Sequence, residues 1–196
     1  MNTFLNHMLS KGAILGMVML VSHIAEQLMM IYGGTSVWTT VVGIEMLVSL
    51  VVFIWLLRNF TKSYAALVLA ARKDMPYFSY MNGLNYAISV SMLAGVIVGL
   101  GGYILHHFVI GHEAYIAGYM KMMQNALATT QIPASMASTY EQLFAQIKNM
   151  PESSLLTMVF NSAWNYLLLG LIVGLFVAKS TKRDVQLFDK KQDDDE

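Results

Sequence analysis

Three ionisable side chains, His23, Glu26 and Glu45, stand in stretches that are otherwise almost wholly apolar. Imidazole and carboxylate in such surroundings can take up or release a proton, because neighbouring charge and loss of water decide which form is favoured. His23 and Glu26 are three residues apart, which places them on one helix face beside Gln27. Asn161 and Asn165 form an i, i+4 amide pair further along. A second group, His106, His107, His112 and Glu113, has zinc-type ligand atoms. Its spacing matches no metal motif and the His-Glu-x-x-His pattern is absent, so interfacial histidines explain it better, and neither metal nor cofactor is expected. Ser22 and His23 are sequence neighbours and diverge on a helix. With no Gly-x-Ser-x-Gly elbow and no phosphate loop, no catalytic residue is expected.

These groups depend on the elements that hold them. The chain has 196 residues, 56% hydrophobic and only 12% charged, with no cysteine and zero formal net charge. Its mean hydropathy is +0.53. A soluble domain carries about a quarter charged residues, so the water-facing surface is missing and a membrane protein is expected. Zero net charge gives no electrostatic basis for a nucleic-acid partner, and the absence of cysteine excludes disulfides and thiolate chemistry.

A hydrocarbon layer about 30 Å thick needs about 20 apolar residues in helical form. Four windows meet that length, at 12–32, 37–57, 84–106 and 155–177. The first reads as an anchor rather than a signal peptide, because it is long, contains His23 and Glu26 and lacks a small-x-small cleavage site. Ten of the twelve basic residues fall before span one, between spans two and three, or after span four. The positive-inside rule then puts both termini in the cytoplasm and the connection after span three outside. Tyr32 and Trp38 on the outer side, and Trp55, Tyr77 and Tyr80 on the inner side, suit aromatic belts.

The outer connection, 113–150, reads as two short amphipathic helices, with Ser138 and Glu141 forming a capping box for the second. They either lie on the membrane or cap the bundle. The stretch 61–71 extends span two as a helix ending near Asp74-Met75-Pro76, and residues 184–196 form a charged, disordered tail after a single transmembrane domain of residues 1–183. The expected fold class is thus an all-α membrane protein: a four-helix transmembrane bundle of two hairpins, with an extracytoplasmic helical pair between spans three and four.

In lipid, small residues mark the faces where helices approach closely. Span three carries Ala87, Ser91, Gly95 and Gly99 at four-residue spacing; span four carries Gly170, Gly174 and Ala178, and span one opens with Gly12 and Gly16. These faces pack one bundle, or one of them joins two copies. With the span centres at residues 22 and 47, His23 lies within about 2 Å of the midplane, Glu26 about 6 Å and Glu45 about 3 Å outward. Spans one and two are antiparallel neighbours. One buried polar cluster of His23, Glu26, Gln27, Glu45, Asn161 and Asn165 is therefore expected. Two readings stand: a dry, mutually hydrogen-bonded lock on helix register, or a proton- or cation-handling site.

Tyr77-Phe78-Ser79-Tyr80 with Gly83-Leu84 leads into span three, Tyr103-Ile104 stands near its outer end, and Gly170-Leu171-Ile172-x-Gly174 with Ala178-Lys179 closes span four. On these motifs, from the first span to about Arg183, the chain resembles the bacterial integral-membrane family called domain of unknown function 4199, widespread in the Bacteroidota. In that family an acidic residue followed by proline often stands after span three; Gly111-His112-Glu113 occupies that place here. The resemblance implies a multi-pass protein of the bacterial inner membrane and carries over no activity or catalytic residue. The expected role is a non-enzymatic one, in which the chain sits in the lipid bilayer and assembles with itself or with other membrane proteins. The alternative is a small proton- or cation-coupled transporter or channel built on Glu26, Glu45 and His23.

Overall fold

The structure, a computed structural model, describes residues 3–33, 36–71, 77–128 and 137–182. Among them the order is α1 (Thr3–Gly33), α2 (Ser36–Ala71), α3 (Tyr80–Ile104), a π-helical turn (Leu105–Ile110), α4 (His112–Ala128), α5 (Ala137–Lys148) and α6 (Leu155–Thr181), with no extended sheet. Four helical stretches of 27 to 32 residues are long and apolar enough to cross a membrane. The 74–76 boundary, the side chains of Trp38 and Ser138, and the tail 184–196 lie outside the described residues.

Two serines define where spans begin. Ser79 accepts a hydrogen bond from the Asn82 amide at 3.2 Å to start α3, and Ser154 accepts one from the Thr157 amide at 3.2 Å to start α6. Each satisfies a backbone donor that has no partner in the first helical turn. The helices α1 and α2 run further than the hydropathy windows toward the end of the bundle remote from α4. An aromatic cluster holds that end. Tyr64 of α2 stacks on Tyr86 of α3 with ring centroids 4.4 Å apart, and Phe4 of α1 meets both edge-on at 5.7 and 6.2 Å. His7 Nδ1 shares a 2.7 Å hydrogen bond with the Tyr86 hydroxyl. Tyr86 is fully buried, so Tyr86→Phe, which takes the partner from His7 Nδ1 and leaves Nε2 on the Ser63 hydroxyl, is expected to lose about 1 kcal/mol and Tyr86→Ala about 3–5 kcal/mol. Thermal unfolding in detergent measures both.

Helix α3 is the centre of the bundle, packed most extensively on α6 and next on α1. Small residues allow the approach. A Cβ on Gly95 would stand 2.7 Å from the Ser162 carbonyl oxygen and 2.8 Å from the Ala163 Cα, and one on Gly99 2.7 Å from the Val159 Cα. From the other side, Gly170 admits Ser91, and Gly174 admits Leu84 and Ala87. Gly12 faces Leu93, and Gly16 faces Ile97 and Ala94. The small-residue faces of α1, α3 and α6 are thus occupied within one chain. Val90, Ala94, Val98, Val173 and Val177 join Leu15, Phe53 and Leu57 in the core between them.

At the other end, Gly111 adopts φ +82° and ψ 144° after the π-helical turn, a conformation open to glycine and strained for other residues. The chain turns there, and α4 folds back onto α1. A Cβ on Gly118 would lie 2.9 Å from the Ile31 Cα, so α4 packs directly on the end of the bundle.

Candidate functional site

Helix α1 carries Ser22, His23 and Glu26 toward α2, where Glu45 and Ser49 share a face as an i, i+4 pair. The Glu45 carboxylate accepts hydrogen bonds from the hydroxyls of Ser22 and of Ser49, the latter at 2.9 Å, and the two serine oxygens are also in contact, so that either hydroxyl can turn from the carboxylate to the other. His23 Nδ1 lies 3.7 Å from Glu26 Oε2. These groups line a cleft of about 590 Å³ between α1, α2 and α6, completed on the α6 side by Asn165 and Tyr166. The rim is open: Met46 and Leu47 are 55% and 65% exposed.

His23, Glu26, Glu45 and Asn165 of the expected cluster therefore share one cleft. Gln27 instead lines a second cavity of about 170 Å³ under α4, with His106, His112, Tyr115 and Met150. Asn161 is exposed and lines neither space. Only His23 of the expected cluster borders both. Ser22, Ser49, Tyr115, Tyr166 and Gly102 also shape the two spaces. The sequence signal for Ser49 is its four-residue distance from Glu45 in an otherwise apolar span; Tyr115 gave none, because its position depends on how α4 folds back.

The histidine group is split between different partners. Among the described residues no three His, Cys, Asp or Glu side chains converge to hold an ion. The π-helical turn separates the neighbours His106 and His107, whose ring planes stand at 79°. His107 reaches out to the Tyr103 carbonyl oxygen at 3.1 Å and the Glu152 carboxylate at 3.2 Å. His106 turns inward, buried, with neither ring nitrogen hydrogen-bonded in the described chain. His112 Nε2 donates to the Met150 carbonyl oxygen at 3.0 Å, its Nδ1 is unpartnered, and Glu113 is exposed. Tyr115, beside them on α4, has its hydroxyl pKa raised first by burial, then by Tyr119 and Glu26. It therefore remains a neutral hydrogen-bonding group.

Four long apolar helices, three of which line a cleft that holds Glu26 and Glu45, define an all-α membrane-protein fold. The chain belongs to the family described as protein of unknown function (DUF4199), whose model matches residues 11–183. Neither a curated protein nor a solved structure matches it.

Proposed function

We propose that this chain is a multi-pass protein of the bacterial cytoplasmic membrane, with both termini cytoplasmic and α4 and α5 outside, that is non-enzymatic and works by assembling with itself or with other membrane proteins. The uneven distribution of Lys and Arg supports the orientation. One observation carries the role: the cleft holding Glu26 and Glu45 opens between α2 and α6 on the flank of the bundle. A carboxylate facing hydrocarbon costs at least about 2.5 kcal/mol, so a flank of this kind is favourable when protein covers it. The small-residue faces are already used inside the chain, so they are not free to join two copies.

The chain has no cysteine, so Leu47→Cys on the cleft rim reports directly. Rapid disulfide cross-linking in native membranes is expected at Leu47→Cys and not at Phe4→Cys, which packs inside the aromatic cluster. A single-chain mass in lipid nanodiscs, with no cross-link, overturns self-assembly, and the absence of any other membrane protein cross-linked through Leu47→Cys in native membranes overturns the rest of the reading. A second reading, proton- or cation-coupled transport, draws support from His23 bordering both spaces. Absence of flux in liposomes for the unaltered protein, and equally for Glu26→Gln and Glu45→Gln, ends it.

A further inference from the structure

The two ring nitrogens of His23 face different spaces. Nδ1 is directed to Glu26, at 3.7 Å, on the side of the cleft. Nε2 stands 3.3 Å from where a Cβ on Gly102 would be, and Gly102 lines the second cavity, not the cleft. Imidazole can accept a proton on one nitrogen while releasing another from the second, so a ring set in a wall between two spaces that each hold titratable groups can pass a proton through it.

The second cavity has the chemistry to deliver that proton. His106 is 8% exposed, and both its nitrogens lack partners in the described chain, as does His112 Nδ1. Buried polar nitrogens are nearly always satisfied, by water where protein does not serve. The cavity measures about 170 Å³, against the ~15 Å³ of such volume that one water molecule occupies. It lies at the α4 end of the bundle, bordered by Pro151 and Ser153 of the segment leading into α6.

We propose that the second cavity holds water and forms the route by which protons reach Glu26 and Glu45 from the α4 end of the bundle, with His23 as the relay. This rests on the reading of the cleft as a proton-handling site. In the step, a hydronium in the cavity gives its proton to His23 Nε2 and becomes water. The Nδ1 proton passes to the Glu26 carboxylate, which becomes a neutral acid after a small ring rotation closes the gap. The ring stays neutral with its hydrogen moved from Nδ1 to Nε2, and a ring flip restores it. The titratable groups sharing its two spaces are Glu26 on α1, Glu45 on α2, His106 on the π-helical turn, His112 and Tyr115 on α4 and Tyr166 on α6. His107 and Glu152 act on His106 from behind.

Dicyclohexylcarbodiimide, which attacks protonated carboxyl groups in apolar surroundings, tests the route. The full chain is reconstituted in vesicles in one orientation, the pH of each side is set independently, and labelling of Glu26 and Glu45 is read by mass spectrometry. Labelling is expected to follow the pH of the α4 side. That dependence is expected to be lost in His23→Gln and in Gly102→Ala, whose methyl group crowds Nε2; thermal midpoints show that both variants are folded. Labelling that follows the opposite side, or that keeps its dependence in both folded variants, overturns the route while leaving the proton-handling reading intact. No labelling of either carboxyl at any pH overturns that reading and the route together.

Discussion

Gly95→Ala is expected to destabilise the bundle by forcing α3 away from α6. The added Cβ would meet the Ser162 carbonyl oxygen at 2.7 Å, the Ala163 Cα at 2.8 Å and the Tyr166 Cβ at 2.8 Å. Two of these are backbone atoms of α6 and the third is fixed to it, so no rotamer change relieves the contact. Helices α3 and α6 would have to separate along the most extensive interface of the protein. Overpacking of this kind costs about 1–3 kcal/mol, and in lipid no hydrophobic gain offsets it, because hydrocarbon replaces the lost contacts without driving the helices together. Gly101→Ala is a graded control: the three atoms nearest its Cβ, at 2.3 to 2.9 Å, all belong to the Leu20 side chain, which can turn aside. Gly43→Ala, with nothing within 4 Å, is expected to be neutral or slightly stabilising, by less than about 1 kcal/mol. Thermal midpoints in one detergent are expected to fall in the order Gly43→Ala, Gly101→Ala, Gly95→Ala. A Gly95→Ala midpoint equal to that of the unaltered chain would mean that the α3–α6 contact is not as close as described.

The properties legible in the sequence are those set by composition and by short-range period. Hydropathy located four long helices because each must present some 20 apolar residues to lipid, and the four-residue spacing of Ala87, Ser91, Gly95 and Gly99 picked out the face of α3 that meets α6. Antiparallel pairing and residue depth were enough to bring His23, Glu26 and Glu45 near one another. Other features depend on contacts that no local pattern encodes. The reach of α1 back to Thr3 follows from Phe4 and His7 packing on Tyr64 and Tyr86, partners 57 or more residues away in sequence. Asn161 and Asn165, one turn apart, were expected to act together, but only Asn165 borders the cleft. The π-helical turn, closed by the Gly111 amide on the His106 carbonyl oxygen at 3.0 Å, breaks the 3.6-residue period on which facing residues are judged.

Replacing Glu45 by leucine separates a structural lock from a functional group, and Glu45→Leu is expected to raise the thermal midpoint. An ionisable residue in mid-span costs at least about 2.5 kcal/mol, whereas leucine there is mildly favourable on the same insertion scale, by about 0.5 kcal/mol. Against this stand the two hydrogen bonds from Ser22 and Ser49, each worth about 0.6 kcal/mol between helices in a membrane. Their loss does not leave the serines without a partner, because one hydroxyl can then donate to the other. The replacement is close in volume and borders an open cleft, so it need not overpack. A net gain of about 2 kcal/mol remains in this comparison of insertion and hydrogen-bond terms. A carboxylate kept only to fix helix register would behave in the opposite way, and its removal would lower the midpoint as Gly95→Ala does. If Glu45→Leu is stabilised, the cost of holding Glu45 in the span must be retained for what the cleft does, whether it meets a neighbouring chain or receives a proton. Loss of the Leu47→Cys cross-link in the stabilised variant would connect it to the first, and unchanged cross-linking with altered carbodiimide labelling of Glu26 to the second.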